Sequence, residues 1–551
     1  MKTADSVDVI VVGSGAGGAP VAVELARAGA EVVVIEKGRY FRDEQLAHDE
    51  IAKRRHFMVP AVEDEPHTIR SNSEDDAEPT NDGWTANIVG GGTVHFMGLF
   101  HRMHPIDFQM RSSLGAVDGA DVVDWPISYD DLEPYYRRLE EEIGVSGLWR
   151  AHPFEEPRSS PYPLPPLGEL NPISQRIDEA AAGLGMHAFP TPRAVLSLPF
   201  KGRPACVNCP MCPDYGCPTR AKSSTLATLL PSAMATGRCE IRSECMATEI
   251  VLRPDGRAAG LVYRDAAGLT RFAAARVVVL ACTAIESARL LLMSRSSAFP
   301  DGLGNRNGLV GKNLVFACGA LGGAVLRDTS HVFVERTIQD FYHMAPPVDG
   351  VSKGGTLGFV TGYFQPIASA EGLAFRRRSP TGRSSDEAIW GATLKNRVAK
   401  RARQQHVHFE SFCEFYANSQ TYMDLDPTIK DRWGAPVARI TLSSHVQSQI
   451  ATSLLKRKAM DILDALHPVE TFVTAEHSVT KFLQGGTCRF GADPATSVLD
   501  VNCRVHQIPN LYVTDGSFLP TSGCVPLTMT IMANSFRVAG HLVRRLRSGD
   551  V

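Results

Sequence analysis

The sequence predicts an α/β fold in which a discontinuous Rossmann-like domain receives an inserted α+β domain built on an antiparallel sheet. Three observations lead to this prediction. A glycine-rich turn joins an apolar strand to a helix near residue 13, a similar strand-then-helix pattern returns at residues 276–293, and residues 317–440 alternate between apolar and polar as strands do. At 551 residues the chain is also too long for one simple core.

The amino-terminal segment indicates a bound dinucleotide. Residues Val7–Val12 form a nearly unbroken apolar run, which is typical of a strand covered on both faces. A G-x-G-x-x-G motif follows, in which Gly13 allows the tight turn, Gly15 lets the backbone approach a pyrophosphate, and Gly18 lets the helix pack closely on the strand. Glu36 ends the second strand, where its carboxylate can accept a hydrogen bond from a ribose hydroxyl.

The later segments predict how the two domains share the chain. Gly90–Thr93 is a second glycine cluster followed by His95, and Ser128–Gly144 has the periodicity and serine cap of a helix. Residues 485–543 return to strand, turn and helix and are expected to rejoin the first domain. We therefore expect the nucleotide domain at residues 1–125, 205–315 and 475–551, and the substrate domain at residues 126–204 and 316–474.

Composition and charge exclude several classes of function. A net charge of -3 offers no electrostatic basis for binding nucleic acid, and no apolar run reaches the ~20 residues that cross a bilayer. The first strand begins close to Met1 and leaves no room for a signal peptide, so we expect a cytoplasmic protein. The twelve cysteines are then expected to be thiols or ligands rather than disulfides.

Several segments together resemble the glucose–methanol–choline (GMC) family of flavin oxidoreductases. Besides the Gly13–Gly18 turn, they are GGGTVHFMG at Gly90–Gly98, VVVLACTAIESARLL at Val277–Leu291, NGLVGKNL at Asn307–Leu314, and the carboxyl-terminal GTCRFG and NLYVTDGSFLPTSG motifs. The segment Trp125–Gly147 looks like the branch that acts on sugars and polyols, similar to bacterial pyranose and glycoside oxidoreductases. The resemblance implies that the dinucleotide is FAD.

The resemblance also implies which residues contact FAD. Gly13, Gly15, Gly18 and Glu36 would hold the ADP half, Gly91, Gly92, Thr93 and His95 would line the flavin ring, and Asp515 and Gly516 would contact the ribityl chain. Asp515-Gly516 could alternatively be an ordinary turn. Some members of the family bond a histidine covalently to the flavin at the position of His95, and the alternative is a buried histidine satisfied by hydrogen bonds.

The sequence departs from the family at the catalytic pair. The histidine that usually precedes the G-T-x-R-M-G turn is replaced by Leu483, and the second catalytic position reads Pro526. Neither side chain can accept a proton. Three explanations remain open: another residue acts as the base, with Glu414 and His477 as candidates; the substrate needs no strong base; or the flavin is structural and no net oxidation occurs.

Four cysteines form a compact motif. Cys206, Cys209, Cys212 and Cys217 have the spacing C-x2-C-x2-C-x4-C, which can enclose an iron–sulfur cluster or zinc. Some sugar dehydrogenases similar to this chain carry an iron–sulfur cluster near this place. A local disulfide and free thiols are the alternatives, because spacing alone does not identify a metal.

These features predict an FAD-dependent oxidoreductase that removes hydride from an alcohol group of a sugar, glycoside or polyol. The alternatives are a flavin-containing lyase or isomerase without net redox turnover, and an electron-relay or binding subunit. The electron acceptor, oxygen or another molecule, is left open, and so is a homo-oligomer. We expect a small-molecule sugar or polyol as the substrate, no nucleic acid as a partner, and no integral membrane segment.

Overall fold

The computed structural model of the protein describes residues 6–46, 48–51, 58–84, 86–167, 172–209, 211–329, 335–361, 365–367, 369–370 and 389–551. The strands are β1 (Ser6–Val12), β2 (Val32–Ile35), β3 (His67–Arg70), β4 (Glu78–Thr80), β5 (Ala188–Pro190), β6 (Cys239–Arg242), β7 (Met246–Leu252), β8 (Ala258–Arg264), β9 (Thr270–Leu280), β10 (Lys312–Thr329), β11 (Arg336–Ile338), β12 (Gly355–Thr361), β13 (Gln404–Cys413), β14 (Tyr422–Lys430), β15 (Pro436–Thr441), β16 (Glu470–Thr487) and β17 (Leu511–Val513). The helices are α1 (Ala19–Arg27), α2 (Pro105–Phe108), α3 (Met110–Leu114), α4 (Tyr129–Ile143), α5 (Pro172–Gly183), α6 (Leu229–Met234), α7 (Ala284–Met293), α8 (Gly391–Arg403), α9 (Val446–Ala465) and α10 (Thr528–Ser548).

The first sheet carries the nucleotide-binding turn. Its strand order is β6-β2-β1-β9-β8-β7, and β17 also pairs with β9. The strands β6, β2, β1, β9 and β17 are parallel, whereas β8 pairs antiparallel with β9, and β7 pairs antiparallel with β8. The apolar run in β1 is buried, and α1 covers the sheet with small and branched apolar side chains, which places the amino end of α1 beside the carboxyl ends of β1 and β2.

The second sheet is entirely antiparallel and forms the other wall of the site. Its order is β16-β10-β13-β12-β11-β5. The helix α9 packs on β10, β13 and β16 and buries its apolar side chains there. The predicted fold class, a Rossmann-like domain joined to an antiparallel sheet, is therefore confirmed.

A third, four-stranded sheet connects distant parts of the chain. Its order is β14-β15-β3-β4, so strands from residues 67–80 pair with strands from residues 422–441. The predicted boundaries at 315 and 475 fall inside β10 and β16, which are continuous strands. The division into two domains stays a prediction, with these two strands crossing its borders.

The helix predicted at Ser128–Gly144 is confirmed as α4. The Ser128 hydroxyl accepts a hydrogen bond from the backbone N–H of Asp131, 3.2 Å away, and satisfies one of the open donors of the first turn. Among the described residues, no helix is long and apolar enough to cross a membrane.

Candidate active site

A cavity of about 520 Å³ lies between the first sheet and the antiparallel sheet. Its lining includes every predicted FAD contact except Gly18: Gly13, Gly15, Glu36, Gly91, Gly92, Thr93, His95, Asp515 and Gly516. Leu483 and Pro526 also line it. The cavity therefore connects the dinucleotide turn with the position where relatives carry their catalytic pair.

The first glycine turn is tightly packed. Gly13 has a φ of 101°, and a Cβ at this position would lie 2.3 Å from the carbonyl oxygen of Ala281. Gly18 does not line the cavity. A Cβ at this position would lie 2.0 Å from the Gly13 carbonyl oxygen. Its role is the close helix–strand packing expected from the motif.

Glu36 is held by the glycine turn itself. One carboxylate oxygen accepts hydrogen bonds from the backbone N–H and the hydroxyl of Ser14, at 3.0 and 2.6 Å, and the other accepts from the backbone N–H of Gly38 at 2.7 Å. The Ser14 hydroxyl also accepts from the backbone N–H of Gly90 at 2.8 Å. The acid, the first turn and the second glycine cluster therefore form one rigid unit.

Asp515 closes the cavity from the carboxyl-terminal segment. Its carboxylate accepts hydrogen bonds from the Thr283 backbone, from the Ser287 hydroxyl at 2.5 Å, and from the backbone and hydroxyl of Ser517. Burial raises the pKa of Asp515, and these hydrogen bonds oppose that effect by favouring its charged form. The side chain therefore orients the Asp515-Gly516 backbone at the cavity wall.

The part of the cavity beside the antiparallel sheet is apolar. Leu99, Ala317 and Phe412 form a small buried cluster, and Met97 and Leu483 pack against it. Leu483 and Pro526 stand at the two positions of the catalytic pair and line the cavity. Neither side chain can accept a proton.

The structure brings neither predicted base into the cavity. Glu414 lies just past the end of β13, and its carboxylate accepts from the Lys353 ammonium at 2.7 Å and from the Ser522 backbone at 2.8 Å. His477 lies on β16 with Nδ1 3.2 Å from the Thr452 hydroxyl, and burial lowers its pKa. Neither residue lines the cavity, so the structure does not support the choice of these residues as the base.

A carboxylate that the sequence analysis missed does line the cavity. Glu410 lies on β13 and shares a strand face with Phe412, because side chains two residues apart point the same way. Burial raises the pKa of Glu410 to about 7. The sequence signal that could have found Glu410 is its two-residue spacing from Phe412. In a strand, this spacing places the charged and the aromatic side chain on the same face.

The cysteine motif borders the cavity. Within the described residues, no three His, Cys, Asp or Glu side chains are placed to hold a metal ion. The thiols of Cys206, Cys209, Cys212 and Cys217 are instead partly exposed and free. Because metal ligation requires thiolates gathered around one point, this geometry does not fit the iron–sulfur or zinc site expected from the spacing.

The cysteine loop is attached to the predicted flavin loop by Lys222. Its buried ammonium donates to the carbonyl oxygens of Phe96, Cys212 and Tyr215, at 2.9, 2.8 and 2.7 Å. Burial lowers the pKa of Lys222 to about 8. Pro213 and Asp214 of the same loop line the cavity.

The chain was compared with protein families. Two GMC oxidoreductase models match residues 80–317 and 417–535, together more than half of the chain, and an FAD-binding domain model matches residues 8–47. The chain belongs to the GMC oxidoreductase family. The predictions of FAD as cofactor and of an oxidoreductase acting on CH–OH donors are confirmed.

Relatives in this family are similar over nearly the whole chain. The 2-methyl-1,2-propanediol dehydrogenase of Mycolicibacterium austroafricanum is 31% identical, covering 98% of this chain and 96% of that protein. The paromamine 6'-oxidase of Streptomyces fradiae is 32% identical, covering 98% and 92%. A solved structure, pyridoxine 4-oxidase from Mesorbium loti, shares the fold with a TM-score of 0.63, 18% identity and coverage of 97% and 99%. These named relatives are dehydrogenases and oxidases, and none is a lyase.

The residues of the cavity fit an FAD. Gly15 and Gly91 face each other, since a Cβ at Gly91 would lie 3.0 Å from the Gly15 Cα, so backbone without side chains borders this part of the cavity and leaves room for a pyrophosphate to approach. The carboxylate of Glu36 stands at the end of β2, where a ribose hydroxyl can donate to it. This chain nevertheless differs from GMC oxidoreductases that use a histidine base, because it has Leu483 at the position of that histidine.

Proposed function

We propose that this GMC oxidoreductase oxidises an alcohol group of a sugar, glycoside or polyol to a carbonyl. The observation that carries the proposal is one continuous cavity that joins the dinucleotide turn to the face of the antiparallel sheet. FAD, when bound, supplies a two-electron acceptor for the hydride of the carbinol carbon. The chain supplies the binding surface, the exclusion of water and the proton acceptor.

We assign the FAD contacts by position in the cavity. Gly13 and Gly15 would present backbone to the pyrophosphate, with Gly18 shaping the turn, and Glu36 would accept from the ribose. Gly91, Gly92, Thr93 and His95 would lie along the ring, and Asp515 with Gly516 along the ribityl chain. The position of His95 on the cavity wall is compatible with both a covalent and a hydrogen-bonded histidine.

The His95 alternatives are separable by one measurement. A covalently joined flavin stays with the polypeptide on a denaturing gel and fluoresces there, whereas a dissociable flavin is released on unfolding. The variant His95→Ala would abolish a fluorescent band if His95 carries the bond, and peptide mapping of the fluorescent fragment would identify any other attachment point.

The substrate class rests on the relatives and on the cavity. One relative is named as a dehydrogenase of the diol 2-methyl-1,2-propanediol, and another as an oxidase of paromamine at its 6' position. The apolar wall of Met97, Leu99, Phe412 and Leu483 would contact the carbon face of such a molecule. Both oxidases and dehydrogenases occur among the relatives, so the electron acceptor must be found by assay.

Anaerobic mixing with a panel of alcohols tests the proposal. We expect the flavin absorbance to bleach with at least one polyol or sugar, and 2-methyl-1,2-propanediol and paromamine are the first to try. Full reduction by dithionite provides the control for a competent flavin. A protein whose flavin is reduced by dithionite but by no alcohol in the panel would contradict the proposed function.

A cytoplasmic location also belongs to this proposal. All twelve cysteines are free thiols, which is the state expected in a reducing compartment.

Gel filtration with light scattering would measure the oligomeric state.

A further inference from the structure

Glu410 differs from the other carboxylates of the cavity in its contacts. Its side chain forms no hydrogen bond or ion pair with any residue that the structure describes, although Glu410 is partly buried in the cavity wall. The other glutamates are engaged by protein donors: Glu36 by Ser14 and Gly38, and Glu286 by His67 and Arg289. A carboxylate without protein donors that faces an open cavity is available to a ligand.

Glu410 lines the same cavity as Leu483, the position where the catalytic histidine is missing. Phe412, two residues further along β13 and about 7 Å away, belongs to the apolar cluster against which Leu483 packs. Glu410 and Leu483 both line the cavity. A substrate hydroxyl held beside Glu410 would meet a carboxylate from β13, while β16 supplies no imidazole at Leu483.

We propose that Glu410 is the catalytic base that accepts the proton of the substrate hydroxyl. This inference rests on the proposed function. In the reaction the O–H bond breaks and its proton goes to the Glu410 carboxylate. The C–H bond of the carbon that bears this hydroxyl also breaks, and its electron pair leaves as part of the hydride to the two-electron acceptor. A C=O double bond forms between that carbon and its oxygen. The alcohol is oxidised by two electrons and the acceptor is reduced by two.

The electrostatics around Glu410 favour this role. Burial raises its pKa to about 7, and no charged partner counteracts that effect. The strands on either side place Leu321 of β10 and Gly358 of β12 opposite it, and neither is charged. On its own strand face, His408 has a pKa lowered to about 4 by burial and is neutral near pH 7. A base whose pKa is close to the working pH combines a useful ionised fraction with a strong affinity for the proton.

Titratable groups from other elements share the same cavity. His95 and Asp214 line it from the two loops joined by Lys222, while Glu36, Lys37, Glu286 and Asp515 line its dinucleotide end. Measurements of pH dependence must therefore be compared between the wild type and a variant that changes Glu410 alone.

The test uses Glu410→Gln, Glu410→Asp and a matched control, Glu249→Gln, in which the glutamate is exposed on β7. Each holoprotein is mixed anaerobically with the alcohol that bleaches the wild-type flavin. We expect Glu410→Gln to slow bleaching by about 10²- to 10⁴-fold, the usual range for loss of a general base. Glu410→Asp should be slowed less, and Glu249→Gln should match the wild type.

The pH profile separates a base from a residue that only shapes the cavity. The wild-type rate of bleaching should rise with pH through an apparent pKa near 7, and this rise should be absent in Glu410→Gln. Infrared difference spectra of the holoprotein without substrate supply a second measurement that does not depend on turnover. A carboxyl band should titrate near neutral pH in the wild type and be missing in Glu410→Gln.

The outcomes distinguish the two proposals. If the wild-type flavin is bleached, and Glu410→Gln with normal FAD content keeps the same rate and pH profile, Glu410 is not the base while the oxidation stands. If no alcohol bleaches the wild-type flavin, the proposed function falls and the base assignment falls with it. If Glu410→Gln loses FAD or fails to fold, the rate and pH profile of Glu410→Asp together with the infrared titration decide the assignment.

Discussion

The ammonium of Lys353 lies 2.7 Å from the carboxylate of Glu414, and both side chains are fully or almost fully buried. The same ammonium lies 2.5 Å from Asp107, so one cation serves two buried carboxylates. Burial alone would lower the pKa of Lys353, but these carboxylates hold it above its ordinary value. This arrangement explains why Glu414 has a structural role, although it lies only four residues from Glu410, which lines the cavity.

The first prediction concerns this buried cluster. Lys353→Met should lower the free energy of unfolding by about 3–5 kcal/mol, because it leaves Asp107 and Glu414 buried without their cation. Chemical denaturation of the purified protein measures this loss. The control is Lys456→Met, which removes the cation of an exposed pair with Glu476 and should cost less than about 1 kcal/mol. Equal losses in the two variants would contradict a structural role for the cluster.

The comparison of Glu414 with Glu410 shows what sequence reasoning could reach. The glycine turn and Glu36 were predictable, because their function depends on spacing within one strand–turn–helix unit. Choosing between two glutamates four residues apart required two facts that are not local: that β13 ends at Cys413, and that Lys353 lies beside Glu414 although 61 positions separate them. Such pairing follows from sheet topology rather than from local pattern.

The cysteine motif illustrates the opposite limit. Its regular spacing is a local signal for a metal site, yet the described loop leaves the thiols apart and is anchored by a lysine instead. Lys222 lies five residues beyond Cys217 and reaches back to Phe96, which the motif alone does not reveal. The predicted boundary at 475 lies inside β16, which pairs along β10.

The second prediction concerns the anchoring lysine. Lys222→Met should destabilise the protein by about 1–3 kcal/mol, because three carbonyl oxygens lose their charged donor. The loop that carries Cys209 and Cys212 should also become more mobile, so these thiols should react faster with a disulfide reagent. The rate of thiol modification, followed by peptide mapping, measures the effect. Lys201→Met, at an exposed lysine, is the control and should leave the rate unchanged.

The third prediction concerns a glycine beside the carboxyl-terminal segment. A Cβ at Gly17 would lie 2.8 Å from the Cα of Asp515, so Gly17→Ala must push the first turn away from Asp515. We expect most of the bound FAD to be lost, which the ratio of flavin to protein absorbance measures. Gly183→Ala, in α5, would meet no atom within 4 Å and should keep its flavin. Unchanged flavin content in Gly17→Ala would show that the turn tolerates this displacement.

The last prediction follows from the raised pKa of Glu410. The folded protein holds the proton up to about pH 7, whereas an unfolded glutamate releases it near 4.5, so the unfolded state binds fewer protons between these values. Stability should therefore fall as the pH rises from 4.5 to 7. Glu410→Gln removes this effect, and the flavin-free variant should be more stable than the wild type above about pH 7, by at most ~3 kcal/mol.

The measurement for this prediction is the unfolding midpoint of both flavin-free proteins across the pH range. The advantage of Glu410→Gln should shrink as the pH falls from 7 through 4.5, because well below 4.5 the wild-type carboxyl is protonated in both states. The control variant Glu249→Gln, whose glutamate is exposed, should follow the wild type throughout. A gain of stability in Glu410→Gln that does not change with pH would instead reflect packing of the amide, because only the ionisation of Glu410 produces the pH dependence. A protein that is more stable without its cavity carboxylate has kept that charge at a cost to folding, which is the pattern expected of a side chain retained for catalysis.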